Sequence, residues 1–226
     1  MFIGHYAVAL AAKRLAPRTS LGTLFAAAQL LDLAWPVLVL AGVEEVRIAP
    51  GDTAFTPLDF VSYPISHSAA AVALWSALFG AVYLGRTRYR TGAWVTGALV
   101  ASHWLLDAVA HRPDLPLWPG GPKVGLGLWG SVPATLALEA AAFAAGAWMY
   151  LSATRPRDRM GRWALAALLG FLGAVYVVNV MGPPPPSATA VAGAGLLLWL
   201  LVPWAAWADR HRDPDPERAA PTVARA

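Results

Sequence analysis

Apolar residues in this chain gather into blocks about twenty residues long, not at the three-to-four-residue spacing of an amphipathic surface helix. Six such blocks stand out, at roughly 22–42, 68–85, 91–110, 131–153, 161–181 and 187–208. At 1.5 Å per residue, a helix of about 20 residues matches the roughly 30 Å hydrocarbon core of a bilayer, so each block is long enough to span it. A seventh apolar block, 2–15, makes a helix of only about 20 Å; it either crosses with local thinning or lies in the interface. The run GPPPP at 182–186 cannot be helical and reads as a stiff connector. The pattern predicts an all-α protein: a polytopic transmembrane bundle of six long spans plus the short N-terminal helix. It forms one integral-membrane domain over 1–208, with 209–226 as a charged, disordered tail.

Composition agrees. Hydrophobic residues make up 58% and charged residues 13%, against about 25% charged in an ordinary soluble domain. The net charge of +4 does not point to a nucleic-acid partner, because the basic residues sit in short clusters between the apolar blocks. KRLAPR (13–18), RTRYR (86–90), RPRDRMGR (155–162) and DRHR (209–212) all fall on one side of an alternating arrangement. By the excess of Lys and Arg in inner loops, that side and the C-terminus are cytoplasmic. The poorer connections 43–67, 111–130 and 182–186 lie outside. In MFIGHYAVALAAKRLAPR the positive charges follow the apolar run, the reverse of a secretory signal, so the segment is expected in the mature protein. Without cysteine there are no disulfides and no thiolate metal sites.

The polar residues inside the blocks carry the chemistry. Asp32 lies mid-block, His67 opens its block from the outer side, and Glu139 lies about two turns into another. His103, Asp107 and His111 recur every fourth residue, which puts them on one stripe of a helix at its outward end. His103 and His111 are about 12 Å apart along that stripe, too far for one ion to bind both. His5 joins this outer group if the first helix crosses. A carboxylate at the centre of a span costs roughly 2.5–3.5 kcal/mol, so Asp32, Asp107 and Glu139 must be protonated, paired or bound to a cation. Imidazole with carboxylate suits zinc and similar divalent ions, though a His–Asp pair in a membrane also serves as an interhelical hydrogen bond or proton site. Glu44, Glu45, Asp52 and Asp59 fall in an outer loop and are expected to be solvated; His211 falls in the tail.

GHYAVAL with His5, QLLDL with Asp32, SHS with His67, and SHWLLD with His103 and Asp107, followed by HRPDLPL, resemble the membrane-bound metal-dependent hydrolases of bacterial inner membranes. That family is distantly similar to zinc-dependent phospholipase C and to the zinc-using single-strand nucleases. The resemblance covers roughly residues 1–140. It implies a helical scaffold in a bacterial cytoplasmic membrane, with His5, Asp32, His67, His103 and Asp107 as ligands of a divalent metal, zinc foremost, and His111 as a further one. The soluble relatives carry another His-rich helix; here no histidine follows His111 until His211, which leaves Glu139 as the additional candidate.

The expected activity is hydrolysis of an ester or phosphoester, a lipid head group among them, at the outer side of the membrane. Asp32 or Asp107 would act as base or would orient a histidine. Arg112 and Lys123, in the glycine-rich outer loop, are candidates to hold an anionic substrate, although glycine and proline there also serve simply to turn the loop. No GxSxG motif marks a serine lipase. Two non-enzymatic alternatives stand beside this: an ion- or proton-coupled transporter built on Asp32, Asp107 and Glu139, and a scaffold that uses metal only to tie its helices.

Overall fold

The computed structural model describes residues 1–215, and it is an all-α bundle carrying three short β-ribbons. At its centre is α1 (Ile3–Ala12), with only Val8 and Ala11 outside its buried set. The short helix therefore lies within the bundle and not in the interface. It packs along α6 (Val132–Ala153), and Gly146 permits the close approach: a β-carbon there would stand 2.3 Å from the Ala7 carbonyl oxygen.

The apolar block expected as one span at 22–42 is two helices. α2 (Leu21–Ala28) and α3 (Leu30–Leu40) meet at Gln29 with a 55° bend. Pro36 inside α3 lacks the N–H that would return to the Asp32 carbonyl, which loosens the segment just past the bend. The bend also opens a new helix N-terminus within the apolar block, and Asp32 sits in its first turn, where a carboxylate is favoured.

The remaining helices begin with side-chain caps where the sequence supplies Ser or Asp. Ser68 caps α4 (Ala69–Thr87), Ser131 caps α6, Asp158 caps α7 (Arg159–Met181) and Ser187 caps α8 (Ala188–Leu196). α5 (Arg90–Ala110) runs back along α4. A 3₁₀ turn at Leu197–Leu200 joins α8 to α9 (Leu201–Arg210), and together they make one apolar span.

Among the described residues, five helical stretches are long and apolar enough to cross a membrane, six if the bent α2–α3 pair counts as one. Large apolar side chains such as Leu74, Trp94, Trp148, Val178 and Met181 face outward. An apolar girdle of this kind marks an integral membrane protein in contact with the bilayer.

The two ends of the bundle differ. At one end lie the arginines flanking α4, α5, α6, α7 and α9, and there β5 (Thr154–Pro156) pairs antiparallel with β6 (Arg212–Pro214). The disordered tail expected from 209 onward is thus corrected in part: Asp209, Arg212 and Asp215 are buried, and residues 216–226 lie outside the described residues. At the other end, β1 (Glu45–Ile48) pairs with β2 (Leu58–Ser62), and β3 (Leu115–Pro116) with β4 (Lys123–Val124). This second end, called the outer end below, holds the histidines.

Candidate metal centre

Four elements deliver polar side chains to one point. α1 brings His5, the first turn of α3 brings Asp32, the residue before the α4 cap is His67, and α5 brings His103 and Asp107 one turn apart. All are buried except Asp32, whose side chain is 27% exposed to a cavity described below.

The separations suit a small cation. His103 Nε2 lies 3.2 Å from Asp107 Oδ2 and 3.7 Å from Asp32 Oδ1; His67 Nε2 lies 3.6 Å from Asp32 Oδ1 and 3.8 Å from Asp107 Oδ2. Atoms held at 2.0–2.1 Å round a tetrahedral ion stand about 3.3 Å apart. These four His–Asp contacts run in a ring, each within about half an ångström of that spacing. His5 faces the other oxygen of the same carboxylate, with Nε2 at 3.1 Å from Asp107 Oδ1, and its ring stacks on His103 at 3.6 Å. His5, His103 and Asp107, and separately Asp32, His67 and His103, are each close enough to share an ion. The N-terminal amine also contacts Asp107 Oδ1, at 2.5 Å.

Hydrogen bonds behind the ring fix which nitrogens face inward. His103 Nδ1 lies 2.6 Å from the Ala28 carbonyl, which the bend at Gln29 turns toward it, so Nδ1 carries a proton and donates it. Nε2 is left to the site; it is buried and makes no aligned hydrogen bond, even to the carboxylate oxygen at 3.2 Å. His67 is held similarly. Ser66 Oγ donates to Glu44 Oε2 at 2.6 Å and can then only accept from His67 Nδ1, also at 2.6 Å. His67 Nε2 thus faces Asp32 and Asp107 as a lone pair. In the neutral imidazoles these lone pairs, set against carboxylate oxygens, repel unless a proton or a metal cation sits between them, and a metal ion there would satisfy both imidazoles and both carboxylates together. On this observation the residues fit a divalent metal.

Glu44 was expected to be solvated, and it is buried instead. It accepts from the Ile65 and Ser66 backbone N–H groups, both at 2.8 Å, as well as from the Ser66 hydroxyl. Nothing in the pair Glu44–Glu45 distinguishes the two by composition; only the alternation along β1, with Val46 buried and its neighbours outward, hints that this segment packs.

Other candidates lie elsewhere. His111 does not continue the α5 stripe, because the helix ends at Ala110 and His111 has extended dihedrals. Pro113 disfavours helix at Arg112, so the sequence HRPD carried that signal. His111 Nδ1 instead bonds Asp114 Oδ1 at 2.9 Å, and Tyr63 donates to the same oxygen at 2.8 Å. Burial pushes the His111 pKa down against the pull of Asp114. Burial alone would raise the Asp114 pKa, but the hydrogen bonds and charge of His111, with Tyr63 and Arg112, bring it below the usual carboxylate value. Glu139 caps α1, accepting from Phe2 N at 2.9 Å and Gly4 N at 3.2 Å, while its Oε1 is buried without a partner.

Arg112 is committed to carboxylates: it pairs with Asp52, with Asp59 at 2.5 Å and with Asp114 at 3.3 Å. Asp52 and Asp59, expected to be solvated, are its partners. Lys123 donates to the Val61 carbonyl at 3.1 Å. Neither basic residue lines the cavity that opens onto the ring.

That cavity has a volume of about 790 Å³. Asp32, His67, Asp107 and His111 all line it, and its walls come from α3, the β1–β2 loop, the end of α7 and the start of α8. Comparison with protein-family models, with curated proteins and with solved structures finds no match.

Proposed function

We propose that the protein is a metal-dependent hydrolase of an ester or phosphoester, in line with the inner-membrane hydrolase family that residues 1–140 resemble. The observation that supports this most directly is the pair of inward-facing imidazole lone pairs, on His67 and His103, each held by a hydrogen bond on its far nitrogen and set against two carboxylates.

His67, His103, Asp32 and Asp107 would hold the ion, zinc foremost, with His5 on the second oxygen of Asp107. A divalent ion in such a setting supplies Lewis acidity and a water acidified to near pH 7. Asp32 is the chain's own candidate base: it is the one carboxylate of the ring that is partly open to the cavity, and so within reach of a water or substrate oxygen. Asp107, fully buried and shared by three histidines, positions those groups and balances their charge. The apolar walls exclude bulk water and strengthen every electrostatic contact at the ring. In the cell, the arginine-rich end would face the cytoplasm of a bacterium, with the C-terminus on that side and the cavity opening outward.

Elemental analysis of the detergent-purified protein beside Asp107→Asn tests this. The wild type should carry at least one divalent ion per chain and hydrolyse a chromogenic ester or phosphodiester, and the variant should lose both while keeping its helical circular dichroism. Equal metal in the two proteins, or none in either, overturns the proposal; metal without hydrolysis leaves only a structural tie.

A further inference from the structure

We infer that the cleft between α7 and α8 is an acyl-chain site open sideways to the bilayer. The molecule bound over the ring is therefore a membrane lipid drawn from the leaflet at the outer end. Only the identity of the reacting bond rests on the hydrolase proposal; the cleft is argued from its own geometry.

α7 and α8 are consecutive helices, yet they scarcely touch. α7 packs on α9, and α8 packs on α3, where Gly195 sits so close to Pro36 that a β-carbon would stand 2.7 Å from the ring. Between the two helices run Gly182 and four prolines. Four residues of extended polyproline span about 12 Å, more than the 8–10 Å between the axes of packed helices. The connector is thus long enough to bridge helices that do not pack together, and the gap it crosses is part of the 790 Å³ cavity.

The depth of the cleft decides what fills it. The lining continues down α8 and into the 3₁₀ turn at Leu198, ten residues past Ala188, or about 15 Å along a helix. That is about half the thickness of the hydrocarbon core, so the lower part of the cleft lies among lipid tails and not in water. Val178 and Ala194, on its two sides, are exposed. Trp35, Phe60, Val191 and Leu198 supply apolar wall.

The polar lining includes Asp32, His67, Asp107, His111, Asn179 and two threonines of the β1–β2 loop, and among the described residues no lysine or arginine lines the cavity. A ligand suited to this space is long and apolar at one end, with a single polar end at Asp32, His67 and Asp107. A water-soluble substrate would leave the deep apolar part unfilled. A lipid chain lying between the helices would place its ester-linked end beside the ring.

The test uses the full-length protein in nanodiscs of phosphatidylcholine doped with a phosphatidylcholine carrying a diazirine in its acyl chain. After irradiation, peptides containing Trp35, Val191 and Leu198 should carry the label. Ala194→Trp, and independently Val178→Trp, place an indole in the gap from exposed helical positions. Each should reduce that labelling at least tenfold while labelling near the outward-facing Trp94 and Trp163 stays unchanged. Wall labelling that is absent, or equal in wild type and both variants, overturns the inference.

Metal content and hydrolysis, measured on the same samples, separate the two proposals. Labelled walls without hydrolysis remove the enzyme and keep the lipid site. Hydrolysis of a water-soluble ester with unlabelled walls does the reverse.

Discussion

The bundle buries charge at both ends, and the two clusters are built on opposite principles. At the arginine-rich end, Asp209 accepts from Lys13 Nζ at 2.6 Å, from Leu21 N at 3.0 Å and from the Tyr150 hydroxyl at 2.7 Å. Lys13 has a second acceptor in the Thr19 carbonyl, and Arg212 spends its donors on Thr154 and the Gly161 carbonyl. Donors and acceptors are matched, and the cluster ties α1, α2, α6 and α9 together. At the outer end, His5 Nδ1, His103 Nε2 and Glu139 Oε1 are equally buried and have no hydrogen-bond partner. The first cluster is saturated, whereas the second leaves desolvated polar atoms without a partner among the described residues, as the metal-site proposal requires.

Breaking the matched cluster should have the largest effect on stability. Asp209→Ala leaves Lys13 charged and buried, and should cost about 3–5 kcal/mol, as uncompensated buried charges do. Thermal unfolding in detergent measures it. A melting temperature within a degree or two of wild type would show that the basic end is not the tie described here. At the outer end, on the metal-site proposal, removal of a charge should act on ion binding instead of fold.

The intermediate effect concerns the residues behind the ring. Ser66→Ala breaks the chain from Glu44 to His67 and frees the imidazole to rotate. On the metal-site proposal, zinc affinity should fall 10–100-fold, the usual consequence of losing a partner that orients a ligating histidine. Competition with a chromophoric chelator reads this directly, and Ser66→Thr, which keeps the hydroxyl, should restore most of it. Unchanged affinity in Ser66→Ala would mean that His67 is not a ligand or is held by other means.

The smallest effect should come from acid acting on the outer hairpins. Burial holds the His111 pKa below its unfolded value of about 6.5, so the folded chain binds fewer protons and stability falls as pH drops below that value. Asp114, with its carboxyl pKa depressed, adds a further loss as pH falls through the carboxylate range. Amide exchange in 111–124, compared at pH 7.5 and 5.5, should show loosening at the lower pH. His111→Gln should remove the first part of it, and an exchange pattern independent of pH would contradict the pairing.

Much of the architecture was legible because one force dominates it. Blocks of about twenty apolar residues have few other destinations, and the spans follow from their length. What the apolar pattern could not show was a break inside a block. The bend at Gln29 sits among Ala and Leu, and it appears only when the Ala28 carbonyl is seen to serve His103. His103 and Asp107 were readable as neighbours from their spacing, whereas bringing His5, Asp32 and His67 to them depends on how helices distant in sequence pack. Glu44 and Arg112 misled for the same reason: a loop charge reads as solvated, or as free for a ligand, until its tertiary partners are known. Three aspartates around Arg112 and two backbone amides on Glu44 reverse both expectations.

The proline connector has a mechanical corollary. The β5–β6 ribbon ties the segment after α6 to the segment after α9 at the arginine-rich end, whereas at the other end α7 and α8 are joined only by residues 182–187. On the lipid-site inference, tighter lateral packing of the leaflet around that gap should slow entry of a chain while leaving the polar ring unchanged.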